Sequence, residues 1–134
     1  MTNSILAPIP KEHIECAYTM RDKDFICFGS DNFEFFEKVR PGTKVYIYVS
    51  KSHGEIGYIA EYHSTTKDVS KMKEYNRNGH RPPSTINDSA CACYWMINRI
   101  EKLERPMKIS DFQSAKTRKS LKSTYTPRTA ILVS

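Results

Sequence analysis

Alternating apolar and polar positions mark the clearest element of the chain, a strand over residues 44–49. One face of this strand carries Val45, Ile47 and Val49, and the other carries Lys44, Tyr46 and Tyr48. A second apolar run over residues 55–63 follows after a short polar connection, so the pair predicts a β-hairpin. Gly57 within the second strand indicates a bulge or a close backbone approach.

Other apolar runs predict strands over residues 4–9, 24–29, 90–103 and 129–133. In the longest run the apolar period shifts, which indicates a bulge near Asn98 and Arg99. Helical spacing and capping patterns predict helices over residues 10–20, from Asp31 to Pro41, from Asp68 to about Arg77, and a short turn from Ser110. The polar, proline-interrupted sequence of residues 79–89 predicts a loop. This order favours an α+β, mainly β fold, a small mixed barrel with helices at its corners.

The 134 residues are enough for a single domain over residues 1–134. With 39% hydrophobic and 11% aromatic residues, a packed globular fold is expected. No apolar run is long enough to span a membrane, and the N-terminus lacks the pattern of a secretory signal. We therefore expect no membrane partner.

The cysteines form no C-x-x-C pair, and the histidines lie in separate segments without ligand spacing. We expect the thiols to be buried and reduced, which is typical of a cytoplasmic protein. Neither a metal site nor a cofactor is predicted, and no carboxylate pair is placed for acid–base catalysis.

The net charge of +6 is unevenly distributed. Residues 1–63 carry a net charge of −2, whereas residues 64–83 carry +3 and residues 99–128 carry +6. Clustered positive charge is typical of polyanion binders, although an ordinary solvated surface has the same composition. The candidate phosphate contacts are Lys71, Lys73, Arg77 and Arg81 in the first basic segment and Lys116, Arg118 and Lys119 in the second.

Aromatic residues offer candidate base contacts. Trp95 is the only tryptophan, and it could stack on a base or lie in the core, which its apolar face favours. Tyr94 lies on the other face of that strand and is expected to be the more exposed ring. Lys44, Tyr46 and Tyr48 would form an aromatic and basic surface suited to single-stranded RNA, or the half-buried face of a barrel.

Two stretches carry a family resemblance: residues 42–61, GTKVYIYVSKSHGEIGYIAE, and residues 94–112, YWMINRIEKLERPMKISDF. The first is similar to a G-D-x-V strand start, a Tyr-His-Ser-type strand end and a G-I-x-G-x-A-E-V strand. The second is similar to W-Y-M-V-D-V followed by L-x-x-P-I-S-L, and residues 128–132 resemble the final strand of the same proteins. By order and spacing the chain resembles a divergent, archaeal-type member of the PUA-like superfamily, the EVE and ASCH domains in particular.

The resemblance implies a mixed pseudobarrel of five to six strands with short helices covering its ends. It also implies that RNA, for example transfer RNA, or a modified base binds in a cleft beside the barrel. It places Ser50 and Lys51 at the lip of this cleft, near Tyr94, where a hydroxyl can contact a base edge and a lysine can contact a phosphate. Residues 18–28 lack the ASCH signature G-x-K-x-x-E-x-R, and the EVE segment W-x-G-V-R-N is missing. The identity of the ligand therefore stays open.

Two other functions stay open beside RNA binding. Some ASCH-type proteins hydrolyse modified nucleosides or RNA with Lys, Thr and Glu side chains, and this chain offers Thr19, Lys23, Lys51 and Glu61, outside the motif positions. A lysine would act as a base only if burial lowered its pKa. Alternatively, Tyr46 and Tyr48 would contact a partner protein. The oligomeric state is open as well.

Overall fold

One mixed β-sheet organises the chain in the computed structural model, which describes residues 3–50, 55–85 and 91–134. Within these ranges the strands are β1 (Ser4–Pro10), β2 (Ile26–Ser30), β3 (Lys44–Ser50), β4 (Glu55–Thr66), β5 (Cys93–Lys108) and β6 (Ile131–Val133). The helices are α1 (Lys11–Thr19), α2 (Phe33–Glu37) and α3 (Val69–Arg77), with 3₁₀ turns at Pro83–Thr85 and Ile109–Asp111. This succession agrees with the predicted order of elements.

The sheet has the strand order β2-β5-β4-β3-β1-β6. The β1 and β3 strands run parallel, and the other neighbouring pairs are antiparallel. The fold is mainly β, as predicted. The edge strands β2 and β6 do not pair with each other, so the described sheet is open and the predicted barrel is not closed. With only five and three residues, these edge strands have few groups with which to close it.

Both predicted bulges are confirmed by the register of the sheet. In the hairpin, Tyr48 pairs with Ile56 and Ile47 pairs with Tyr58, which leaves Gly57 as an extra residue. Between β4 and β5 the register moves from Glu61 opposite Asn98 to Ile59 opposite Glu101. Arg99 lies in this second bulge and has a φ of +52°. Bulges of this kind increase the local twist and curve the sheet.

The main core lies on the face of the sheet that carries Val45, Ile47 and Val49, as the alternation predicted. Two helices cover this face. The α1 helix contributes Ile14 and Ala17 at helical spacing, and α2 contributes Phe36. Because the apolar side chains of the strands and helices meet here, their removal from water stabilises the fold.

Two smaller clusters lie outside the main core. The first cluster joins Tyr48, Leu6 and Ile56 to the C-terminal residues Ile109 and Phe112. The second joins Cys27, Tyr94 and Met96 to side chains of α3, where Met72 and Tyr75 face the sheet. In β2 and β5, Phe28 and Trp95 belong to the main core while their sequence neighbours belong to this second cluster. The α3 helix therefore packs on the opposite face of β2 and β5 from the main core.

Of the helix caps predicted from the sequence at Asp68 and Asp31, the structure confirms the first and contradicts the second. Asp68 caps α3 by accepting hydrogen bonds from the backbone amides of Ser70 and Lys71. The Ser70 hydroxyl also donates to this carboxylate, and together with the two amides it holds the pKa of the Asp68 carboxyl below the usual value. The predicted cap of α2 by Asp31 is wrong. Asn32 is the N-cap residue, and Asp31 accepts a hydrogen bond from the amide of Ala92 at 3.0 Å. No described helix is long and apolar enough to pass through a bilayer.

Candidate functional site

A cavity of about 410 Å³ is lined by residues from the end of β2 and from the segment before β6. One wall is the segment 29–32 at the end of β2, and the facing wall is the segment 128–130 that leads into β6. The β1 strand contributes Ala7 and Pro8, and the floor is formed by Phe36 and Trp95. We call this the seam cavity, because its lining joins the end of β2 to the segment that leads into β6.

Two stacked rings form the floor of the seam cavity. The ring centroids of Phe36 and Trp95 are 4.7 Å apart and the ring planes differ by 11°, while the centroid of Phe28 lies 5.7 Å from that of the indole. Phe36 is 2% exposed and Trp95 is 4% exposed. The floor is therefore assembled before any ligand arrives, which avoids the entropic cost of ordering it during binding.

A hydrogen bond from β4 holds α2, the helix that carries the Phe36 ring of this floor. The hydroxyl of Tyr62 donates to the backbone carbonyl of Phe36 at 2.7 Å. Burial raises the pKa of the Tyr62 phenol to about 12, so the group stays protonated and remains a donor at neutral pH. The Phe36 ring is thus positioned both by stacking on Trp95 and by the hydrogen bond to its backbone carbonyl.

Three consecutive polar residues form one wall. The hydroxyl of Ser30 accepts a hydrogen bond from the amide of Asn32 at 3.0 Å, and Asp31 is held by the amide of Ala92. The backbone carbonyl of Asn32 accepts hydrogen bonds from the amides of Phe35 and Phe36 in α2. These bonds order the loop and place a carboxylate and a side-chain amide at the cavity. Together they offer both hydrogen-bond acceptors and donors.

The facing wall supplies positive charge. Arg128 and Thr129 line the cavity, and both are exposed to solvent. The lining of the cavity therefore includes both a cationic residue, Arg128, and an anionic one, Asp31. An arginine can form two parallel hydrogen bonds with a phosphate or a carboxylate, or stack on a planar ring.

Of the two aromatic residues predicted from β5, Trp95 lines the seam cavity and is buried, as its apolar face favoured. Tyr94 points to the opposite face and is only 3% exposed, so the expectation that it is the more exposed ring is wrong. Its hydroxyl donates to Asn76 at 2.9 Å and accepts from Arg81 at 2.8 Å. Arg81 also donates to Thr85, so its guanidinium is engaged within the protein.

The structure does not bring Ser50 and Tyr94 together. Ser50 ends β3 near the start of β4, whereas Tyr94 pairs with Thr66 at the other end of that 12-residue strand. At about 3.3 Å per residue, the two ends lie roughly 30 Å apart. Ser50 is half-buried, and Lys51 lies outside the described residues. A single cleft containing both Ser50 and Tyr94 is therefore not formed among the described residues.

The predicted aromatic face of β3 is covered by the chain's own C-terminal segment. The rings of Tyr46 and Phe112 meet with their centroids 4.8 Å apart, and Tyr48 is 7% exposed. The ammonium of Lys44 lies 5.8 Å from the Tyr46 ring centroid. Of the uses left open for this face, the structure shows the half-buried face of the sheet.

The predicted basic residues fall into two separate groups. Lys71, Lys73 and Arg77 are exposed on α3, away from the seam cavity. The second group lies in a tight turn, where the amide of Arg118 donates to Ser114 at 2.7 Å and the amide of Ser114 donates to Lys119 at 3.0 Å. Arg118 has a φ of +58°, and the exposed members of this group are Lys116, Arg118 and Lys119.

Of the four residues weighed for hydrolysis, the three that the structure describes have separate partners. The hydroxyl of Thr19 donates to the backbone of Cys16 at 2.6 Å, and the ammonium of Lys23 donates to the backbone of Asn78 at 3.4 Å. Glu61 pairs with Arg99 at 3.3 Å. Within the described ranges, no three His, Cys, Asp or Glu side chains are grouped so that they could hold a metal ion.

Four of the polar residues at the seam cavity were missed by the sequence analysis: Asp31, Asn32, Arg128 and Thr129. A signal was present in the polar run Ser30-Asp31-Asn32 between a strand and a helix. A polar turn at a strand end often carries binding groups. Nothing local linked it to Arg128.

Comparison with known proteins adds no relationship. No family model matches the chain, and the search of curated proteins gives no match.

Proposed function

We propose that the protein is a non-catalytic RNA-binding module of PUA-like fold that holds one nucleobase, ordinary or modified, in the seam cavity. The observation that carries the proposal is the composition of this cavity: a stacked aromatic floor between a carboxylate–amide wall and an arginine. Its volume lies within the range of about 300–1,000 Å³ that is typical of small-molecule sites.

Each wall has a role that suits a nucleotide. The side chains of Asp31 and Asn32 can accept hydrogen bonds from the ring or exocyclic N–H groups of a base, and the amide of Asn32 can donate to a carbonyl. Arg128 on the facing wall can pair with the phosphate. Since Phe36 and Trp95 are nearly buried, they form a rigid apolar floor of the cavity and not an open stacking platform.

Three further observations support the proposal. The net charge of +6 favours association with a polyanion. The resemblance to PUA-like domains implies RNA or modified-base binding beside a strand-built core. The four free cysteines support a place in the cytoplasm, where thiols stay reduced.

The experiment is a retention assay with natural nucleotides. Bulk transfer RNA, which contains both ordinary and modified bases, is digested to mononucleotides and dialysed against the protein, and the retained nucleotides are identified by mass spectrometry. We expect a small subset to be enriched. Arg128→Ala should weaken retention about tenfold or more, since it removes a charge-assisted contact.

Asp31→Asn is the sharper variant. The asparagine keeps an oxygen that can accept from the Ala92 amide, so the loop should stay folded, while the negative charge at the wall is lost. We expect the identity of the retained nucleotide to change. Retention of nothing above the level of an unrelated basic protein of the same size would contradict the proposal.

A further inference from the structure

A second, shallower cavity adjoins the seam cavity, and Asn32 lines both. Its volume is about 700 Å³. We call it the exit groove, and its walls include Glu34, Phe35, Lys38, Arg40, Thr43 and Leu132. A ligand that extends beyond the seam cavity past Asn32 would enter this groove.

The exit groove combines cations with accessible apolar surface. Lys38 and Arg40 are both exposed, and they outnumber the single carboxylate of Glu34. Leu132 is 38% exposed, which is high for a large aliphatic side chain, and Phe35 is half-buried beside the groove. Cations beside apolar and aromatic surface suit a single strand, whose phosphates need charge and whose bases need a surface on which to lie.

The positive charge continues past the end of the groove. The backbone carbonyl of Leu132 accepts a hydrogen bond from Ala115 at 3.1 Å. The residue after Ala115 begins the basic turn, whose cations are Lys116, Arg118 and Lys119. The basic turn therefore follows directly on a residue that is bonded to Leu132, which lines the exit groove.

We propose that the ligand is a base within a single-stranded polynucleotide, and that the neighbouring phosphates lie along Lys38 and Arg40 in the exit groove. This inference rests on the proposed function of the seam cavity and specifies its substrate class. It assigns the contacts with the phosphate backbone of the polynucleotide to Lys38 and Arg40. The charge pattern of the sequence did not predict these two residues as phosphate contacts, because they lie in the acidic N-terminal half. The α3 cations, on the opposite face of β2 and β5, take no part.

The test compares single nucleotides with a strand. Bulk transfer RNA is digested either completely to mononucleotides or partially to short single-stranded fragments, and each digest is titrated while the emission of Trp95, the only tryptophan, is recorded. The fragments should bind at least about tenfold more tightly. Each phosphate contact on a single strand contributes about 0.7 to the salt slope, so the double variant Lys38→Ala/Arg40→Ala should lose roughly twentyfold in fragment affinity at about 0.1 M salt.

The matched control is Lys71→Ala/Lys73→Ala, which removes the same charge from α3. It should change fragment affinity less than about threefold. The inference is overturned if fragments bind no more tightly than mononucleotides, or if the two double variants lose equal affinity. If mononucleotides bind and only the advantage of the fragments is missing, the seam cavity proposal stands alone. If mononucleotides also fail to bind, both proposals fall.

Discussion

The guanidinium of Arg81 lies over the ring of Tyr94, 5.0 Å from its centroid, and donates a hydrogen bond to the Tyr94 hydroxyl at 2.8 Å. The same hydroxyl donates to Asn76 in α3. This contact joins the segment after α3 to β5 and uses an arginine whose sequence context suggested a phosphate contact. Arg81 is half-buried, so its hydrogen bonds support the fold.

The first prediction concerns this pair. Tyr94→Phe removes both hydrogen bonds of a hydroxyl on a buried side chain and leaves polar partners behind, so the free energy of unfolding should fall by about 1–3 kcal/mol. Arg81→Leu keeps the apolar stem and should also destabilise. Urea unfolding of both single variants and the double variant measures their coupling. Strictly additive losses would show that the two residues do not interact.

The second prediction concerns the close approach at Gly29. A Cβ added there would lie 2.8 Å from the Sγ of Cys91 and 3.2 Å from its Cβ. Gly29→Ala should therefore lower the free energy of unfolding by about 1–3 kcal/mol through overpacking.

Cys91→Ala removes the nearer sulfur atom, so it should recover part of the loss when combined with Gly29→Ala. Gly57→Ala is a milder comparison, because the nearest atom to its added Cβ would be Val49 Cγ2 at 3.3 Å. Equal stability of Gly29→Ala and the wild-type chain in thermal unfolding would disprove the close approach.

The third prediction concerns alkaline pH. Burial raises the pKa of the Cys27 thiol from 9.0 to about 12, against a smaller lowering effect of Arg81, and that of the Tyr62 phenol from 10.0 to about 12. Both groups are neutral when protonated, so the folded chain binds these protons more tightly than the unfolded chain. Their contribution is complete below about pH 9 and is lost as the pH rises towards about 12.

We expect the free energy of unfolding to fall by a few kcal/mol across this window. Tyr62→Phe should reduce the slope of the free energy against pH in the upper part of this window, and Cys27→Ala should reduce the slope across the whole window. Both effects are expected whatever the stability of the variants at neutral pH. Urea unfolding at a series of pH values gives the slopes. Curves for the variants that run parallel to the wild-type curve would contradict the assignment.

The fourth prediction concerns the cover over β3. Phe112 is 5% exposed and packs edge-on against Tyr46. Phe112→Ala should cost about 3–5 kcal/mol, since it removes a large buried ring from the cluster around Tyr48. Val69→Ala, at a residue that is 63% exposed, is the control and should change stability by less than about 0.5 kcal/mol. Similar unfolding midpoints for the two variants would mean that the C-terminal segment does not cover this face.

Local pattern was enough to predict the order of the elements and the two bulges. A glycine inside an alternating strand and a shift of apolar period at Asn98 and Arg99 are signals that depend on neighbouring residues alone. The alternation in β3 likewise predicted which face enters the core. These features follow from the strand period of two and need no knowledge of distant partners.

The candidate site could not be predicted in the same way. The seam cavity is lined by both Asp31 and Arg128, which are far apart in sequence and which only the tertiary fold brings to the same cavity. No local pattern predicts such a placement. The cover of Tyr46 by Phe112 is equally non-local, and the distance between Ser50 and Tyr94 depends on the length and register of β4.

The most direct test of the seam cavity is a map of backbone amide shifts by NMR as the mononucleotide digest of transfer RNA is added. We predict that the largest shifts fall on the amides of residues 29–32 and 128–130, together with the indole N–H of Trp95. Amides of α3 should move little. Shifts concentrated on α3, or no shifts at any nucleotide concentration, would contradict the central claim that the cavity lined by residues 29–32 and 128–130 is the binding site.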